Sequence, residues 1–153
     1  MKHILLTILF LFLFIYLFAQ TGMFGISFGQ EKSKVQTELK AKGFVETDKT
    51  VSIFNYTNSK IPDLASLKLY INEEKGIVTG WVVKYSVNGD QAKIDKIFND
   101  LTEMHDVSPF YDDYYEEHVW ELDNGKAAYV YVDPDSSTLT IDYTEFDDSY
   151  YWY

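Results

Sequence analysis

The chain has 153 residues, a formal net charge of −11 at pH 7, 13 tyrosines and no cysteine. Without thiols it can form no disulfide, no zinc–thiolate site and no cysteine nucleophile, so its fold must rest on its core. All 13 basic residues are lysines, which removes the bidentate guanidinium fork that grips phosphate or carboxylate.

Charge is divided unevenly along the chain. Residues 20–96 carry 11 lysines against 9 acids, whereas residues 97–153 set Lys126 against 15 acids. An acidic half of this kind repels nucleic acid and anionic lipid, because binding to either draws on attraction to phosphate. Cations, basic proteins and basic peptides remain as partners. The plainer reading is that the acids keep the protein soluble.

In chain order, Met1-Lys2 is followed by an almost wholly apolar run, 4–18, and then Ala19-Gln20. This is the order of a secretory signal peptide, predicted as residues 1–19, with 20–153 as a single mature domain. The apolar run falls short of the roughly 20 residues that span a bilayer. An uncleaved N-terminal anchor is the alternative, since Leu17 is larger than the residue usual three positions before a cut. Periplasmic or secreted placement follows from the first reading.

Gly22, Gly25 and Gly29 predict an extended lead-in. A first helix is expected over 30–42, with Val35 and Leu39 on one face and Glu31, Lys34, Glu38 and Lys42 toward solvent. Gly43 then stands where a left-handed residue ends a helix, and Phe44 can fold back on Leu39. Strands are expected at 51–57, 64–71 and 77–87, the last two by alternation of apolar and polar residues, with a hairpin loop at 72–76. Asp90 is a candidate cap for a second helix, whose stripe Ile94, Ile97, Phe98, Leu101 and Met104 has a clear helical period. Residues 110–117 read as an acidic, aromatic linker. Strands follow at 118–122, 127–132 and 139–143, the first pair joined at Asp123-Asn124-Gly125. The tail 147–153 is acidic, then aromatic, and is expected to dock or to fray.

These elements predict an α+β domain: an antiparallel sheet of about six strands covered on one face by two helices. The expected order is α-β-β-β-α-β-β-β, which makes internal duplication an expectation. The uncovered face would carry Lys68, Tyr70, Lys84, Thr140 and Asp142.

The spacing Gly29, Val35, Leu39, Gly43, followed by strands, resembles the small periplasmic domains typified by the β-lactamase inhibitor protein and the small lipoprotein of the outer-membrane β-barrel assembly machinery. The stretch 24–44 also looks like uncharacterised secreted proteins of Bacteroidetes-type bacteria. The chain departs from the pattern in placing Gly43 four residues after Leu39, in lacking the following proline and in having no cysteine to lipidate. The resemblance covers about twenty residues and implies a binding or scaffolding module, with no catalytic residue carried over.

The chemistry of the remaining motifs is sparse. His105 and His118 do not form a His-Glu-x-x-His pair, and no nucleophile elbow, phosphate loop or cofactor fingerprint is present. Adjacent carboxylates such as Asp112/Asp113 and Glu116/Glu117 would point to opposite sides of a strand rather than across a cleft of about 5–10 Å. Asp133 and Asp135 are weak calcium candidates, because position six of that loop is Thr138 and position twelve Thr144. The run 110–120 has two readings: a contact surface for a basic or carbohydrate partner, or aromatics packed under a linker. The first expectation is therefore a non-enzymatic module that binds a protein or peptide, a basic one by charge. Its expected site residues are Tyr70, Lys84, Tyr114, Tyr115, Trp120 and Asp142. A divalent-cation-binding envelope protein and a hydrolase with an unrecognised site are the alternatives.

Overall fold

The computed structural model describes residues 21–133 and 137–145. The signal-like segment, Asp135 and the aromatic tail lie outside the described residues.

The first half contains α1 (Lys32–Ala41), β1 (Val45–Lys49), β2 (Ile53–Thr57), β3 (Leu64–Asn72) and β4 (Ile77–Ser86). The second contains α2 (Gln91–His105), β5 (Phe110–Asp112), β6 (Glu117–Leu122), β7 (Lys126–Asp133) and β8 (Thr138–Glu145). All the strands join one antiparallel sheet in the order β1-β2-β3-β4-β8-β7-β6-β5. The last strands of the two halves, β4 and β8, meet at the centre, and the first strands, β1 and β5, form the two edges.

The α+β class and the antiparallel sheet agree with expectation, but the sheet has eight strands instead of six. Each half is one helix followed by four strands. Both extra strands lack a sequence signal for a physical reason. All five residues of β1 are exposed, so it carries no apolar alternation and is held by its backbone pairing with β2. Its charged side chains suit an edge strand that must not recruit another chain. At three residues, β5 is too short to show a period, and it lies inside the run read as a linker.

Local signals explain the joints. The helix α1 ends as Gly43 and Phe44 predict: Gly43 takes φ +89° and donates to the Lys40 carbonyl, while the Phe44 N–H reaches the Leu39 carbonyl at 3.0 Å. This pair of bonds satisfies carbonyls that the helix end leaves open. At α2 the Asp90 carboxylate accepts from the Ala92 and Lys93 N–H groups at 3.0 and 3.4 Å. Between β6 and β7, Asn124 and Gly125 both take positive φ, the conformation this hairpin needs.

The core lies between the helices and one face of the sheet. Val35 and Leu39 of α1 and Leu101 of α2 belong to the same cluster as Leu67, Leu69, Val83, Val130 and Ile141. Where β4 meets β8, the Trp81 and Tyr143 rings stack at 4.4 Å. The lead-in covers this seam. It is folded rather than extended, with a single 3-10 turn at Met23–Gly25 and a bridge between Thr21 and Ser27. Gly22 presses so closely on the seam that a Cβ there would fall 2.4 Å from Trp81 Cζ2 and 2.8 Å from Tyr143 Cε1. Phe28 packs on Trp81 at 4.7 Å, and Gly29 and Gln30 hydrogen-bond to Val78 of β4 at 2.9 Å. Glycine at position 22 is thus a packing requirement, because its φ of −94° suits any residue.

Candidate functional site

The sheet's second face is the candidate site. Side chains alternate across a strand, so residues paired with Asp142 share its face. One row across the sheet therefore runs Asn55, Lys68, Val82, Asp142, Tyr129 and Val119. Beside it run Ser66, Lys84, Thr140 and Tyr131. Val82, Val119 and Ala127 are buried between their longer neighbours yet stand outside the main core cluster, as residues of the second face should. Among the described residues, the buried side chains of both helices belong to the other face.

Tyr70, next along β3, stands opposite Gly80. A Cβ on Gly80 would fall 2.7 Å from the Tyr143 carbonyl oxygen and 3.7 Å from Tyr70 Cδ2. The bare backbone leaves a shallow hollow of about 510 Å³ between Tyr70, Thr79, Asp142, Thr144 and Glu145. Lys126, paired with Glu145 at 2.6 Å, belongs to the opposite face, where its ammonium lies over the Phe28 ring.

Electrostatically the face is graded. Burial pushes the Asp142 carboxyl above its ordinary range, and Lys68 pulls it partly back. Glu117 is raised first by burial and then by the charges of Asp112 and Asp142. The Tyr70 phenol is raised by burial, with Asp142 and Tyr131 adding to it. Lysines thus stand toward β3 and β4, and carboxylates that repel one another stand toward β5, β6 and β8. Such an arrangement attracts a cation and offers it flat tyrosine surface, while its Lys68 end accommodates an acidic group.

The structure brings Tyr70, Lys84 and Asp142 to this one face. Tyr114 and Tyr115 instead project from the β5–β6 turn, 83% and 45% exposed, with their rings edge to face at 4.7 Å. Asp112 shapes that turn by accepting from both backbone N–H groups, at 2.9 and 3.2 Å. Trp120 is elsewhere. It is fully buried on the helix side, packs on Phe98 and donates its indole N–H to Thr102 Oγ1 at 3.2 Å. Its place is in the core, because β6 alternates and Trp120 faces inward with His118 and Leu122.

Glu117, Tyr129 and Tyr131 are face residues that the sequence reading overlooked. The alternation of Tyr129 and Tyr131 with Ala128 and Val130 was the available signal. Asp133 ends β7 opposite Thr138, and its companion Asp135 is outside the described residues. Among the described residues, no three His, Asp or Glu side chains converge as a metal site. Among the described residues, the two histidines, His105 and His118, sit on the other side of the sheet. His105 Nε2 meets the Tyr143 hydroxyl at 3.0 Å, and His118 lies between the Phe98 and Tyr111 rings. Among the described residues no helix is long and apolar enough to cross a membrane. Comparison with known proteins returns no match: no family model, curated protein or solved structure is recognisably similar to this chain.

Proposed function

We propose that the protein is an extracytoplasmic, non-enzymatic binding module whose second sheet face takes a basic segment of a protein or peptide. One observation carries this reading: Asp142 and Glu117 are held on the same half-buried face, both with their carboxyls raised, beside Tyr70, Tyr129 and Tyr131. A lysine-rich segment laid there relieves carboxylate repulsion and stacks its alkyl stems on the tyrosines. The signal-like N-terminus supports the compartment, and the resemblance of 24–44 to periplasmic binding domains supports the class.

A fluorescent lysine octapeptide tests the reading by anisotropy. Binding is expected, and the pair Asp142→Lys with Glu117→Lys should weaken it by about tenfold or more, the equivalent of one good charge contact. The pair Glu73→Lys with Glu74→Lys changes net charge equally on the exposed β3–β4 turn and should leave affinity within about twofold. Equal losses in the two variants would reduce the effect to bulk charge and end the proposal.

A further inference from the structure

A second concavity lies on the helix side, away from the sheet face. It opens between the first turns of α2, the end of β4 and the loop from β2 to β3, with a volume of about 280 Å³. That is close to the lower bound of roughly 300 Å³ for small-molecule pockets. Met23, Tyr85, Val87 and Ile97 give it apolar walls. Its mouth is flanked by two ion pairs, Lys93–Asp63 at 2.8 Å and Lys96–Asp100 at 2.5 Å. Each lysine there is matched by a carboxylate, so the mouth has no net charge with which to select an ion.

Tyr85 distinguishes this hollow from an ordinary packing gap. It is only 8% exposed, yet its hydroxyl makes no hydrogen bond among the described residues. Its neighbour in the core behaves otherwise: Tyr143 pairs with His105 and with the Met23 backbone. Among the described residues the buried side-chain polar atom without a partner is Trp81 Nε1, so the Tyr85 hydroxyl reaches solvent through the hollow, and an oxygen placed against it exchanges water for a direct bond worth about 0.5–1.5 kcal/mol. Burial, with the Asp100 charge adding to it, pushes the Tyr85 phenol up to about 12. The group is therefore a neutral donor at any physiological pH, and the same Asp100 disfavours an anionic acceptor beside it.

We propose that this hollow binds a small uncharged molecule with an apolar body and one hydrogen-bond-accepting oxygen, which receives the Tyr85 hydroxyl. The apolar body lies against Met23, Val87 and Ile97, and the ion pairs at the mouth close over it. A ketone, ether or ester fits this description. A carboxylate does not.

Three probes of one shape separate the possibilities: acetophenone carries the acceptor, ethylbenzene lacks it and benzoate carries a charge. Methyl NMR of Met23 and Ile97 in the full chain reads each titration. Acetophenone should shift both methyls saturably and bind about threefold to tenfold more tightly than ethylbenzene, the worth of one neutral hydrogen bond. Benzoate should bind no better than ethylbenzene. Tyr85→Phe should bring acetophenone down to the ethylbenzene level, and Ile97→Trp, which fills the hollow from a half-exposed position, should abolish the Met23 shift without altering lysine-octapeptide binding. Unmoved methyls, a preference for acetophenone that survives Tyr85→Phe, or a preference for benzoate would each overturn the proposal.

Discussion

The two halves share an element order but are built differently. The helix α1 is short and buries Val35 and Leu39 almost completely, each at 1% exposure. The helix α2 is half as long again and has the more regular apolar stripe, yet only Leu101 is fully buried. Ile94, Ile97 and Phe98 are half covered, and Met104 is 42% exposed. Periodicity thus reports that a helix forms and which side faces inward, not how deeply it sits. The shallow seat of α2 leaves the hollow beside Ile97 open. The halves differ in charge in the same direction: nearly all the excess acid belongs to the loosely seated half, whose strands supply Asp142 and Glu117.

Truncations within each helix put the largest strain on this contrast. Leu39→Ala and Leu101→Ala should each cost about 2–5 kcal/mol in denaturant unfolding, as fully buried leucines do. Ile97→Ala should cost about 1 kcal/mol or less, because its side chain already borders open space. A loss at Ile97 equal to that at Leu101 would mean that α2 is seated as firmly as α1. Gly22→Ala follows in size. A methyl group driven into the Trp81–Tyr143 stack should cost about 1–3 kcal/mol. Gly76→Ala meets no atom within 4 Å, and its loss should reflect only the positive φ of that turn, about 1 kcal/mol. If the two glycines cost the same, the lead-in does not bear on the seam that joins the halves.

How much of this was legible depended on whether the signal was local. The α2 stripe, the Asp90 cap, the Gly43 stop and the alternation of β3, β4 and β8 are written in neighbouring residues, and all appear in the fold. Tyr70, Lys84 and Asp142 could be assigned to one face for the same reason. The strand β1 was invisible because Val45, Glu46, Thr47, Asp48 and Lys49 bury nothing and owe their conformation to a partner strand. Trp120 falls in the core rather than at the site because the aromatic run 110–120 crosses from a turn into an alternating strand, where its ring faces inward. Glu117 was lost to the same tract. Its closeness to Asp142 depends on β6 and β8 both pairing with β7, a register that no stretch of sequence displays by itself.

The charge contrast has a smaller and opposite signature in stability. The folded pKa of Asp142 is raised above its unfolded value, so the ionised carboxylate is held at a cost at neutral pH. Asp142→Asn should therefore raise the melting temperature at pH 7, by less than about 1 kcal/mol in stability. The gain should vanish as pH falls through the folded carboxyl's titration toward its ordinary 3.8. The same substitution should weaken octapeptide binding, as expected where a site keeps a charge that the fold would rather lose. A lower melting temperature for Asp142→Asn at pH 7 would show that Lys68 more than compensates for burial.

Histidine provides the finest test, since it titrates in a different window and with the opposite sign. Burial lowers the pKa of His105 from 6.5, so the fold prefers the neutral ring that meets the Tyr143 hydroxyl. The unfolded chain takes up the proton first. The stability owed to neutral His105 is complete above about 6.5 and is lost as pH falls from there toward the folded value. His118 is lowered for the same reason and adds to the slope. Melting temperature should thus decline as pH falls below about 6.5, whereas protonation of the raised Asp142 and Glu117 carboxyls acts in the opposite direction. His105→Gln keeps a polar group for Tyr143 but cannot titrate. It should flatten the decline by about 2–4 °C, the equivalent of roughly 1 kcal/mol in a domain of this size. An unchanged slope in that variant would mean that the ring facing Tyr143 is solvated enough to accept its proton in place, and that the seam beneath the lead-in is open to water.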